Sequence, residues 1–168
     1  MSLTMYDASV PVFIRALGIL STLLDKAVAH AEVNGIDPAR FVEARLIADM
    51  NPLRSQIQSA SDTSKGAAAR LSGAENPSFP DTETTMAELQ ERIAKTIAFL
   101  ESVDARAFEG SETRDVVLKT RREEVHFKGQ DYLLTFALPN FFFHVTTAFD
   151  ILRAQGVQIG KKDYLGRA

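Results

Sequence analysis

With 168 residues, 45% hydrophobic and 24% charged, the chain has the balance of one soluble globular domain spanning residues 1–168. A net charge of −3 argues against a broad surface for nucleic acid or membrane. The lack of cysteine excludes disulfides, thiolate metal ligands, iron–sulfur clusters and cysteine nucleophiles, and fits a cytoplasmic location.

The N-terminus has no basic region followed by an apolar run, so no signal peptide is expected. No stretch approaches the roughly 18 uninterrupted apolar residues of a membrane-spanning helix. From Val10, apolar residues recur at Phe13, Leu17, Leu20, Leu24, Ala27, Val28 and Ala31. These steps of three and four predict one long helix of about 25 residues, or roughly 38 Å. Pro11 suits its first turn, or kinks it if the helix starts nearer Tyr6. Asn34-Gly35 supplies the stop.

Asp37-Pro38 reads as the start of a second helical arm carrying Phe41, Ala44, Leu46, Ile47 and Met50. Asn51-Pro52 interrupts that arm, which resumes through Leu53, Ile57, Ala60, Ala67, Ala68 and Leu71 and ends at Gly73. A loop follows to Asp81. Thr85-Met86-Ala87-Glu88 has the pattern of a capping box opening a third helix on Met86, Leu89, Ile93, Ile97 and Leu100. Arg92, Lys95 and Glu101 are expected on its solvated face.

Thr113–Phe127 changes period. Val117, Lys119, Val125 and Phe127 suggest a short β-hairpin with its turn in Thr120–Glu124. Gln130–Ala137 reads as helix and runs into Pro139, which either restarts the last helix or kinks a continuous one. That helix runs to about Ala154, with Gly156 as the stop, and the tail after Gly160 is expected to be irregular.

The last helix carries the most suggestive chemistry. At about 100° per residue, Phe141, Val145, Ala148, Phe149 and Leu152 share one face, and Asn140, His144, Thr147 and Ile151 form the adjacent stripe. His144 is a candidate ligand, general base or hydrogen-bonding group of a pocket. Its plainer reading is a structural histidine. On the second arm, Asp62, Lys65 and Gln56 are the polar residues of interest. Asp62 and Lys65 form a surface pair, or, if the helix turns them inward, Asp62 faces His144. Glu123 and His126 have the spacing of a di-iron ligand pair, but a strand sends them to opposite faces. The basic residues Arg114, Lys119, Arg121, Arg122 and Lys128 are mixed with acids and read as a solvated hairpin rim. His30 reads as a surface residue of the first helix. No phosphate-binding loop, dinucleotide fingerprint, nucleophile elbow or His-x-x-x-His pair is present.

Leu138-Pro139-Asn140-Phe141-Phe142-Phe143-His144-Val145-Thr146-Thr147-Ala148-Phe149-Asp150-Ile151-Leu152-Arg153, with Gly156, Ile159-Gly160-Lys161 and Asp163-Tyr164-Leu165-Gly166, resembles a bacterial domain-of-unknown-function family near the DinB/YfiT-like metalloenzymes. Met5-Tyr6-Asp7-Ala8-Ser9-Val10-Pro11 and Asp62-x-x-Lys65-Gly66-Ala67-Ala68-Ala69-Arg70-Leu71 look like its N-terminal and second-helix signatures. The resemblance implies a four-helix bundle, often dimeric. Typical members of that superfamily hold a divalent metal with three histidines, one on the second helix and a His-x-x-x-His pair on the last. Some act as thiol-dependent transferases or isomerases. Here position 140 is Asn, position 148 is Ala and the second arm has no histidine, so the fold carries over while the metal and the transfer chemistry do not.

The expectation is therefore an all-α, DinB-like four-helix bundle with a small β-hairpin between the third and fourth long helices. It would be a ligand-binding or interaction module without a cofactor, forming a homodimer that buries some of its 11 phenylalanines. The alternative is a DinB-like enzyme of the metal- or thiol-dependent transferase or isomerase type, with His144 as base or metal ligand and Asp62 as its carboxylate partner. Asn140, Thr147, Gln56 and Lys65 would line that pocket. A divalent metal held by His144 and Asp62 alone is disfavoured as too weakly ligated.

Overall fold

A computed structural model describes residues 3–119 and 123–167. Four long helices make the bundle: α1 (Val10–Asn34), α3 (Leu53–Ser72), α4 (Met86–Ser102) and α6 (Leu138–Ala154). A single turn, α2 (Ala39–Val42), lies between the first two. The antiparallel strands β1 (Asp115–Lys119) and β2 (Glu124–Lys128) sit between α4 and α6. A short α5 (Gly129–Asp131) runs through a π-helical turn, Tyr132–Ala137, into α6, and α7 (Lys161–Tyr164) closes the chain. This is the expected bundle with its hairpin in the expected place. Among the described residues, no helix is long and apolar enough to cross a membrane.

Local signals set the ends of these helices. Pro11 lies in the first turn of α1, where the missing N–H costs nothing. Gly35 ends α1 at φ 63°, a left-handed cap that side chains with a Cβ rarely adopt. Thr85 caps α4 by accepting from Glu88 N, while the Glu88 carboxylate accepts from Thr85 N, so the capping box is complete.

Helix α3 is the hub, touching α1, α4 and α6. Ala60, Ser64, Ala67 and Ala68 are fully buried there, and their small side chains let three neighbours approach one helix. Leu17, Leu20 and Leu24 of α1, Ile57 and Leu71 of α3, Leu89 and Leu100 of α4, and Phe141 and Leu152 of α6 fill the core. Phe13 meets Phe141 edge-on at 4.8 Å between ring centroids.

Four sequence expectations need correction. The second arm is not helical up to Asn51. After α2 the chain turns into a loop, leaving Leu46 and Ile47 exposed, Ile47 at 61%. Pro52 holds an extended conformation, and the few residues between it and α2 cannot repay helix nucleation without a buried face. In the hairpin the inward residues of β1 are Val116 and Leu118, opposite Phe127 and Val125, while Val117 points outward. The turn residues 120–122, with Arg121 and Arg122 of the basic rim, lie outside the described residues. The tail is not irregular: α7 forms a turn that Asp163 caps through Gly160 N, and Lys26 pairs with Asp163 to tie it to α1. Arg92, expected in solvent, is buried, as described below.

Of the two readings of Pro139, the continuous helix holds: helical conformation runs from Gly129 through the π-turn into α6. Pro139 cannot donate to the Thr135 carbonyl, and its ring would crowd that group in a regular α-turn. The wider π-turn just before it absorbs the mismatch, and Thr135 Oγ1 donates to Asp131 O at 2.7 Å.

Candidate functional site

Helices α3 and α6 run antiparallel, because Asn140 bonds Thr63 while His144, further along α6, bonds the earlier residue Gln56. Gln56 Oε1 lies 2.8 Å from His144 Nδ1. A side-chain amide oxygen only accepts, so this bond places the proton on Nδ1 and leaves Nε2 with its lone pair. Gln56 is fixed in turn, since its Nε2 donates to Asn51 O at 2.9 Å. Among the described residues no group bonds His144 Nε2. Burial of the half-exposed ring lowers its pKa, which favours the neutral form. The result is an oriented, neutral imidazole with a basic nitrogen available.

The neighbours of His144 are mostly neutral. Asn140 Nδ2 donates to Thr63 Oγ1 at 2.8 Å. Thr147 is buried one turn beyond His144, and its hydroxyl returns to Phe143 O at 2.7 Å. Phe143 itself is 54% exposed, edge-on to the imidazole at 5.3 Å. Thr63 was not foreseen as part of this seam, because a threonine on a polar stretch of helix carries no distinguishing pattern.

Asp62 does not face His144. It lies six residues beyond Gln56, about 240° around the helix, and points to α4. There Arg92 Nη2 donates to Asp62 Oδ1 at 2.9 Å, and Lys65 Nζ lies 3.1 Å from the same oxygen. The Asp62–Lys65 pair forms one turn apart as expected, with Asp62 exposed, but Lys65 is buried against α4 and its loop instead of lying at the surface. The six candidate residues therefore divide: His144, Gln56, Asn140 and Thr147 line the α3–α6 seam, while Asp62 and Lys65 belong to a second cluster between α3 and α4.

Arg92 organises that second cluster. Only 2% exposed, it donates from Nε to Ser61 and from Nη1 to Pro80 O, Asp81 and Glu83, these last three contacts at 3.0–3.1 Å. Glu83 is also buried and accepts from Gln58 Nε2 at 2.9 Å. Burial alone would raise the Glu83 pKa, but hydrogen bonds from Gln58, the backbone and Arg92 outweigh it and hold the carboxyl below its ordinary value. Phe79 lies under both cations, 5.7 Å from Arg92 and 5.4 Å from Lys65. Two cations and three carboxylates thus fasten the loop before α4 onto α3. The helix pattern alone carried no signal for this. Arg92 lies about 60° beyond Leu89, outside the apolar sector of α4, and is buried only because the loop before α4 folds over it.

The three histidines stay apart. His30 contacts Asn34 on α1 and lies 6.5 Å from the Phe41 ring, and His126 is exposed on β2 opposite Val117. Among the described residues no group of three or more histidine, aspartate or glutamate side chains is placed to hold a metal ion. The donors at His144 do not fit the three-histidine metal that the resemblance implies. The facing side chain is an amide, Asn140 is engaged by Thr63 and position 148 is alanine.

Residues 5–165 match the family described as Domain of unknown function (DUF1993). The fold is similar to the crystal structure of a DinB family member protein from Shewanella denitrificans, with a TM-score of 0.90 and 39% sequence identity over 96% of this chain and 92% of that one. No curated protein is significantly similar to the chain.

Proposed function

The chain belongs to the DUF1993 family of DinB-like helical bundles, and on that footing we propose that it works by recognition as a homodimer, without a metal. The observation that carries this reading is the His144–Gln56 pair. Gln56 orients the ring with its proton on Nδ1, burial favours the neutral form, and Nε2 then suits a hydrogen-bond donor on a ligand. Among the described residues, none is placed to supply the second and third ligands of a catalytic metal beside His144.

The apolar surface beside the seam supports the homodimer. Phe136, in the π-turn before α6, and Phe143, on α6, are both exposed and about two helical turns apart. Leu46 and Ile47 are exposed in the loop whose end, Asn51, is held by Gln56. Large exposed apolar side chains next to an oriented polar group fit a contact that a second copy covers. Light scattering during size exclusion tests this. A dimer at roughly 50 μM is expected, with Phe143→Glu shifting it to a folded monomer. A monomeric native chain at that concentration would refute the homodimer.

The same nitrogen favours one second reading, in which His144 acts as a general base on a bound substrate. A neutral imidazole with a lowered pKa is already in the base form near neutral pH. Asp62 has no part in that reading, since Arg92 and Lys65 hold it elsewhere. His144→Gln would abolish turnover on such a substrate, whereas pure recognition leaves no turnover to lose.

A further inference from the structure

Away from the α3–α6 seam, a cavity of about 750 Å³ lies between the second half of α1, the turn into α2 and the first turn of α4. That volume is within the range of small-molecule sites. Its wall is apolar, with Val28 of α1, Pro38, and Met86 and Ala87 of α4. Its charged residues are Asp25, Glu32 and Asp37, and no lysine or arginine lines it.

None of these three carboxylates is in an ion pair among the described residues. Asp25 accepts from Gln90 Nε2 at 2.7 Å and Asp37 from Ala39 N at 2.9 Å, so both keep further acceptor capacity. The C-terminal end of α1 adds the negative pole of its helix on the same side. The N-terminus of α4 has the opposite polarity, but Glu88 takes hydrogen bonds from Thr84 N and Thr85 N and places a negative charge there. The groove is therefore apolar within, negative at its edge and free of a protein cation.

We propose that this groove binds a small organic cation with an apolar body, of which a primary alkylamine is the simplest case. The ammonium group would sit at this negative edge, and the alkyl chain would lie against Val28, Pro38 and Met86. The site is separate from His144 and does not depend on the role proposed for that residue.

Titration of the isotope-labelled full chain with hexylamine, followed by amide chemical shifts, tests the site, with hexanoate and hexanol as charge-reversed and neutral comparators. Saturable shifts with a Kd on the order of 1 mM are expected for hexylamine, centred on Val28, Glu32, Ala39 and Ala87. Hexanol should bind more weakly and hexanoate not at all. The combination Asp25→Asn, Glu32→Gln and Asp37→Asn should weaken hexylamine about fivefold and leave hexanol unchanged. Asp37→Asn retains a side-chain oxygen that can accept from Ala39 N, so the turn stays capped. If that triple variant fails to fold, Glu32→Gln alone, which removes no internal hydrogen bond, should still weaken hexylamine measurably. Shifts confined to another surface, no saturation up to about 10 mM, equal binding of hexanol or hexanoate, or an unchanged affinity in the folded variants would each overturn the proposal.

Discussion

His144 owes its protonation state to burial and its orientation to Gln56. A histidine whose folded pKa lies below its unfolded value stabilises the fold while neutral. That contribution is complete above pH 6.5, the ordinary value, and is lost as pH falls through the lowered folded pKa. Titration of the ring by NMR should therefore give a pKa below 6.5, with the proton on Nδ1 at neutral pH. A value above 6.5 would mean that a negative group, and not burial, governs the ring. Glu83 behaves alike in a more acidic window. Its stabilisation is present above pH 4.5 and lost as pH falls through its depressed pKa. Arg92 should matter more than either. Arg92→Ala leaves the buried Glu83 carboxylate without its guanidinium and is expected to cost about 3–5 kcal/mol in urea unfolding. A loss below about 1 kcal/mol would show that the cluster is solvated after all.

At the scale of elements, the junction between hairpin and last helix is the tightest point. Gly129 donates to Arg114 O at 2.8 Å, and a Cβ there would overlap the Ser111 carbonyl and stand 3.1 Å from Leu71. Gly129→Ala should cost about 1–3 kcal/mol through overpacking against backbone that cannot yield. Gly18, inside α1 with nothing near its missing side chain, is the control. Gly18→Ala should stabilise by about 0.5–1 kcal/mol. Equal effects in the two variants would remove the steric argument. The elements themselves were largely legible, because their signals are local: the stripe of α1, Pro11, Gly35, the Thr85–Glu88 box, Gly73 and Gly156 all act within a turn or two. Elements set by distant partners were not. Leu46 and Ile47 have helical spacing, but no buried surface receives them. The burial of Arg92 depends on Asp81 and Glu83 returning in a loop. The rotation of α3, which separates Gln56 from Asp62, is set by what packs on each side. The stripe of Asn140, His144 and Thr147 could be read from α6 alone, but the partner of His144 could not.

For the whole molecule, the bundle of the DinB family member is kept at a TM-score of 0.90, while the residues facing one another across α3 and α6 are an amide and a single imidazole. A core of Leu, Ala and Phe sets the helix arrangement whatever stands in the seam, so fold similarity carries architecture further than chemistry. The exposed Phe136 and Phe143 and the negative groove between α1 and α4 are features of the assembled surface, and both are tested by binding partners, not by stability. The central claim is that His144 serves recognition without a metal. Its most direct test is the metal content of untagged protein purified without chelator. Less than about 0.1 equivalent of zinc or other transition metal per chain is expected. Close to one equivalent, lost in His144→Ala, would contradict the account.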